Sequence, residues 1–412
     1  MLPFSSQTLD NLITEAASRF PYGTAILSDG RTWTYGELER GILRSAALLN
    51  DGGIKKGDRI LLMSATSDAF VFAFFALLRV GAIPVPIHPD LQEVEVLTLA
   101  RDSGARWLLT DMATSDQVLN TFLQARNSTV IRLDPRRLQI RWRFEPGAKE
   151  TPLNILEVPP QKTELPSIVP ETMATLLYPH SDTEHSKGIG LSHRDLLAHA
   201  RSSLAVLPVD RFPSTTIALP LHHANVMTGQ LLTHFLVGGR VQLFRNLAFA
   251  FPVLQAIQKA GSQSFWGMPT TFRQFANLPD LDELDLRCVR YVNVLGASLS
   301  IEDRHLIARV FPEATVFHHD EPIEASPRLP GLVSSGEKVL PREVERVFAS
   351  HPQVQDVRVC GEADRMLGDR IIAYVIPSST HVDLQAIRQH GERHLAPFKW
   401  PQEVRIVDRL PD

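Results

Sequence analysis

Cysteine is nearly absent from this chain of 412 residues, which carries only Cys288 and Cys360. Two thiols exclude a disulfide framework or a cysteine-built zinc site. Both sit in apolar, strand-like runs and read as small buried hydrophobes. Positive charge is not in excess either: 42 Lys and Arg against 46 Asp and Glu leave a net charge of −4. That balance excludes a polyanion-binding surface, so no nucleic-acid partner is expected. No apolar run reaches the ~20 residues of a membrane-spanning helix. The longest, "AFVFAFFALL" from Ala69 to Leu78, reads as a buried helix. The first residues lack a basic segment followed by an apolar core, so no secretory leader is expected. A cytoplasmic protein is the expectation, without internal repeats or low-complexity tracts.

What is present is a βαβα rhythm. Leu9, Leu12, Ile13, Ala16, Ala17 and Phe20 recur at helical spacing. Thr34 and Glu37 form a capping box that opens a helix ending at Gly52-Gly53. Short strands and helices then alternate to about Thr110, which predicts a mostly parallel sheet with helices on both faces. From Asp134 to Thr172 the chain is proline-rich and charged and reads as a long irregular connection. A second break, "SPRLPG" from Ser326 to Gly331, precedes a compact tail. There Pro341 starts a helix, and further strand and helix signals complete a small α+β unit.

Several segments, in order, resemble the adenylate-forming superfamily of acyl-CoA synthetases, peptide-synthetase adenylation domains and luciferases, and carboxylate–CoA ligases in particular. "RTWTYGELERGILRSAALLNDGGIKKGDRI" is similar to the family's opening signature. "LPLHHANVMTGQLLTHFLVGGRVQLF" resembles its acyl-pocket segment, "FWGMPTTFRQF" the following helix and "VNVLGASLS" the adenine-side turn. The resemblance implies an α/β fold of layered, mostly parallel sheets with flanking helices, one subdomain largely deleted, plus a small α+β C-terminal domain. It divides the chain into an AMP-binding-like domain over 1–325, a short linker over 326–335 and a C-terminal-like domain over 336–412. The ancestral reaction would use ATP, Mg and CoA to join a carboxylate to a thiol through an acyl-adenylate.

The parts that handle ATP depart from the family's pattern. Its phosphate loop reads about Thr-Ser-Gly-Thr-Thr-Gly-x-Pro-Lys-Gly. Here Ser181 and Glu184 replace both inner glycines, and Asp182 adds a second carboxylate. Glycines let backbone N–H groups close on phosphate. A carboxylate about 4 Å from a phosphate charge costs on the order of 4 kcal/mol at an effective dielectric near 20. Asp320 and Ile323 stand where the family has its tyrosine and phosphate-contacting threonine. The ribose-binding aspartate and basic hinge have no counterpart, and the chain ends at Asp412 before the family's Gly-Lys segment.

No catalytic residue is nominated; Thr183, Lys187 and Glu324 are read as remnants of the ATP and Mg site. Gly296 and Ala297 correspond to the adenine-side turn, and His223, Met227, Gly229 and Met268 to the acyl pocket. The pairs His222-His223 and His318-His319, with Asp320 and Glu321, lack helical ligand spacing, so no metal site is nominated. Ser298 within "GASLS" lacks the closing glycine of a nucleophile elbow, and Ser300 reads instead as a helix cap. The leading expectation is a non-catalytic protein that binds an acyl group or thioester, or assembles with a partner from a biosynthetic pathway. Two alternatives stay open: an active acyl-CoA or acyl-carrier-protein ligase, and ATP-independent acyl transfer.

Overall fold

The computed structural model describes the chain apart from residues 1–5, 112, 113, 115, 125–127, 135–138, 144–150, 155–164, 179–187, 246–249, 297–298, 320–331, 335–336, 365–366, 380–381 and 412. Two large sheets stand side by side. The six-stranded sheet runs Ile83–Ile87, Arg59–Met63, Trp107–Thr110, Thr129–Asp134, Gln139–Arg143, Thr151–Asn154, its first four strands parallel. Pro84 and Pro86 lie in the strand at its edge, where a missing N–H costs least. The seven-stranded sheet runs Thr315–His319, Tyr291–Leu295, Ser264–Gly267, Ser214–Ile217, Arg240–Leu243, Thr24–Ser28, Arg31–Thr34, with only the last pair antiparallel. A two-stranded ribbon, Met173–Leu177 with Ile189–Ser192, flanks the phosphate-loop positions 179–187, which lie outside the described residues.

The run "AFVFAFFALL" forms the helix Asp68–Val80, apolar on every side and buried except at Arg79. A helix of that kind can only be a core element. The capping box at Thr34 and Glu37 opens the helix Tyr35–Asp51, and Ser300 with Asp303 opens Ile301–Val310 in the same way. The tail has its own five-stranded sheet (Leu332–Ser334, Glu337–Val339, Val354–Asp364, Gly368–Pro377, Glu403–Ile406) and its own core around Val344, Phe348, Ile371 and Ile387. Among the described residues no helix is long and apolar enough to cross a membrane.

Two expectations need correction. Within the supposedly irregular stretch 134–172, Gln139–Arg143 and Thr151–Asn154 are antiparallel strands that extend the six-stranded sheet. The period-two signal of Ile140, buried in that sheet, was hidden among prolines and arginines. Cys288 and Cys360 are only half-buried; Cys288 falls in the turn before the strand Tyr291–Leu295.

Two histidines are sealed inside. His234 donates from Nδ1 to the Gln230 carbonyl oxygen at 2.7 Å, and the Ser264 and Tyr291 hydroxyls lie 3.4 Å from Nε2. His193 accepts the Leu9 N–H at Nδ1 at 3.0 Å. Burial lowers both rings to about 4. Above pH 6.5 these groups are neutral in the folded and unfolded states alike. Below it the unfolded chain takes up protons that the fold refuses until about pH 4. Each ring should therefore remove roughly 1.4 kcal/mol of stability per pH unit between pH 6.5 and 4. Urea denaturation at a series of pH values checks this; stability unchanged from pH 7 to 4.5 would contradict it.

Candidate functional site at the seam and the sheet end

The large region and the tail meet through charge. Lys399 Nζ is wholly buried and bonds Glu95 of the helix Glu93–Ser103 and Glu343 of the tail helix Pro341–Ala349, the latter at 2.7 Å. Glu95 also caps its own helix, where its Oε2 accepts the Gln92 N–H at 2.8 Å. Next to this triad, Phe398 packs on His88, ring centres 4.3 Å apart, and Ala396 enters the core of the six-stranded sheet.

A second cluster lies on the same seam. Glu337, at the start of a tail strand, faces two histidines of the large region. His223 Nε2 is 3.3 Å from Oε2 and His88 Nε2 3.5 Å from Oε1. His222 meets His88 edge-on and lies tilted against His223. Burial alone would push the Glu337 carboxyl up; His223, His88 and His222 together outweigh it and hold it well below the usual carboxylate range. His222 is kept far below the ordinary histidine value by burial and by its neighbours His223 and His88. One ligand-capable atom each of His88, His222 and Glu337 lies within 4.8 Å of the others. The Asp90 N–H, however, donates to His88 Nδ1 at 3.0 Å, so the proton of a neutral ring sits on Nε2, facing Glu337. That arrangement suits a hydrogen-bonded clasp better than a cation.

The third component is the carboxyl end of the seven-stranded sheet, the side on which α/β folds place ligands. Trp266 and Asn293 are register partners on adjacent parallel strands, so both side chains leave one face. The π-helical segment Val226–Leu232 covers that face; π-turns are frequent at functional sites. Met227 is fully buried there, and a Cβ on Gly229 would come 2.8 Å from the Trp266 indole. Gly296, directly after its strand, has φ +85, and a Cβ there would meet Met268 Cε at 2.9 Å.

Of the residues nominated from sequence, Thr183, Lys187, Ala297 and Glu324 lie outside the described residues. Met227, Gly229, Met268 and Gly296 fall at the sheet end, while His223 turns toward the tail carboxylate Glu337. His88, Glu337, Trp266, Asn293 and Lys399 were missed. No local spacing announces them, because each gains its meaning from a partner distant in the chain.

This architecture is that of an adenylate-forming enzyme. The AMP-binding enzyme model matches residues 13–319 and the AMP-binding enzyme C-terminal domain model residues 343–412; the chain belongs to the AMP-binding enzyme family. Its relatives include a long-chain-fatty-acid–CoA ligase of Bacillus subtilis, 21% identical over 100% of this chain and 93% of that protein. An oxalate–CoA ligase of Arabidopsis thaliana is 23% identical over 98% and 96%. The Bacillus alignment runs over 523 positions, more than the 412 residues here, so the relative carries stretches this chain lacks. Among solved structures, an amide bond synthetase from Marinactinospora thermotolerans matches with TM-score 0.82 at 16% identity, covering 98% of this chain and 96% of its own. An o-succinylbenzoate CoA synthetase from Bacillus subtilis gives 0.78 at 19%, covering 97% and 95%. At such identities these structures establish the shared fold.

The triad can be tested as a unit. Lys399→Met leaves two carboxylates buried without their cation and should cost about 3–5 kcal/mol. Adding Glu95→Gln and Glu343→Gln should restore most of that loss, because the buried charges disappear together. Urea denaturation reads both; a triple variant no more stable than the single one would contradict the coupling.

Proposed function

We propose that this chain is a carboxylate–CoA ligase homologue that has lost ATP chemistry and holds an acyl group or acyl thioester without activating it. One observation carries the reading: no glycine lies between Pro179 and Gly188, and Asp182 and Glu184 stand where a triphosphate would have to dock. Ile323, unable to donate a hydrogen bond, and Asp320, unable to stack, point the same way. Thr183, Lys187 and Glu324 are then relics, as is the turn at Gly296 and Ala297. His223, Met227, Gly229 and Met268 belong to the acyl-binding end. Residues 1–325 and 336–412 act as two domains across the short linker 326–335, with the tail held in one orientation by Lys399 and Glu337. The acyl group arrives as a free thioester or on a partner protein, in the cytoplasm.

A second reading has its own support. Lys187, Thr183 and Glu324 keep the cationic, hydroxyl and carboxylate functions that the resemblance assigns to ATP and Mg, and the relatives bear the names of CoA ligases. On that reading ATP, Mg and CoA are still used.

Thermal denaturation separates the two. A ligand bound at a hundred times its Kd adds about 2.7 kcal/mol to stability, which moves Tm by a few degrees in a protein of this size. Millimolar Mg-ATP should leave Tm unchanged, whereas a panel of short-chain acyl-CoAs should contain at least one that raises it saturably. A saturable Mg-ATP shift that Lys187→Ala abolishes would replace the first reading with the second.

A further inference from the structure

Among the described residues, the adjacent strands Ser264–Gly267 and Tyr291–Leu295 carry three buried polar atoms with no hydrogen-bond partner: Trp266 Nε1, Asn293 Nδ2 and Asn293 Oδ1. Buried donors and acceptors are paired in the great majority of cases, and each exception calls for a cause. Trp266 is 2% exposed and Asn293 0%, so bulk water does not supply the partners. Trp266 is the third of four residues of Ser264–Gly267 and Asn293 the middle residue of the parallel strand Tyr291–Leu295, side by side on the face covered by Val226–Leu232. Just beyond them are Met268 and Gly296, which touch each other at the sheet end. A fourth unpaired atom, Gln230 Oε1, belongs to the covering segment, while the Gln230 amide donates to Thr215 Oγ1 and the Thr216 carbonyl oxygen.

We propose that the acyl group held at this face ends in a hydrogen-bonding group, a hydroxyl or a primary amide on a short chain, and not in a bare alkyl tail. The proposal rests on the acyl-binding reading above and names its substrate class. Asn293 presents a donor and an acceptor together, which a hydroxyl or primary amide can answer at once. The oxygen of such a group also accepts from Trp266 Nε1. A bare alkyl end would leave all three atoms dry and unpaired, and sites built to bond a polar group reject analogues that lack it. Depth is limited as well. The Trp266 indole reaches Gly229, and Phe317, the register partner of Asn293, meets Tyr291 edge-on at 6.0 Å. A long acyl chain has these aromatic rings in its way.

Isothermal titration of the whole protein decides the matter. Butyryl- and hexanoyl-CoA are compared with their ω-hydroxy and ω-amide counterparts and with palmitoyl-CoA, for wild type, Asn293→Leu and Trp266→Phe. At least one polar-ended thioester should bind roughly tenfold or more tighter than its alkyl match. Asn293→Leu should abolish that preference and Trp266→Phe should weaken it. Unliganded Asn293→Leu should also melt higher than wild type, because an unpaired buried amide gives way to an apolar side chain of similar size. Equal binding of polar and alkyl ends, or tightest binding of palmitoyl-CoA, would overturn this inference while the acyl-binding reading stands. A lowered Tm for Asn293→Leu would also overturn it, since the amide would then be serving the fold. No binding of any thioester by wild type would sink both.

Discussion

A lysine with no access to water has to be answered by charge, and Lys399 sets the terms for everything around it. Glu95 comes from a helix of the six-stranded sheet and Glu343 from the tail, so one cation joins elements 304 and 56 residues away in the chain. Burying three charges confers little net stability, because desolvation consumes most of the attraction. What it confers is selectivity of arrangement. A tail docked a few ångströms away would leave a carboxylate or an ammonium buried without its counter-charge, at a cost of several kcal/mol. The packing of Phe398 on His88 and the approach of Glu337 to His223 follow from that placement.

The parts of the fold readable from sequence are those whose cause is local. Thr34 with Glu37 and Ser300 with Asp303 declare helix starts within four residues, and both form as capping boxes. An uninterrupted apolar helix such as Asp68–Val80 can go only to the core. The strands Gln139–Arg143 and Thr151–Asn154 escaped because prolines and arginines masked a short alternation that becomes meaningful only beside Thr129–Asp134. The same limit applies to the candidate site. Met227, Gly229, Met268 and Gly296 could be named through a family resemblance. His88 and Glu337 are separated by more than half the chain, and Trp266 and Asn293 have no signature beyond being polar atoms in apolar strands.

The two ends of the ancestral chemistry make unequal demands on sequence. A phosphate cradle needs backbone conformations open to glycine and a surplus of positive charge, and the sequence places Ser181, Asp182 and Glu184 at the positions the resemblance assigns to that loop. An acyl-binding face needs apolar walls and a few polar groups, whose identity can drift without dismantling the sheet. Trp266 against Gly229 and Met268 against Gly296 show the contacts at that end kept close, each resting on a missing Cβ. Sequence change at the first end therefore does not require loosened packing at the second.

The two clusters on the seam differ in kind. Lys399, Glu95 and Glu343 carry fixed opposite charges, so they select an orientation. The cluster of Glu337, His88, His222 and His223 is a carboxylate among imidazole rings, with His222 kept far below the ordinary histidine value by burial and by its neighbours. Separating the tail would return Glu337 and the histidines to water, which solvates them well, so the clasp opens at far less cost than an internal break of the triad. His223 stands in the segment that leads from Leu219 into the covering helix Val226–Leu232, and its backbone carbonyl accepts the Val226 and Met227 N–H groups. Whatever pulls on the His223 ring from the tail thus acts on the first turn over the face that carries Trp266 and Asn293, four residues from Met227. A tail seated by the triad touches that turn through Glu337, so the placement of the tail and the geometry of the covering segment are mechanically linked.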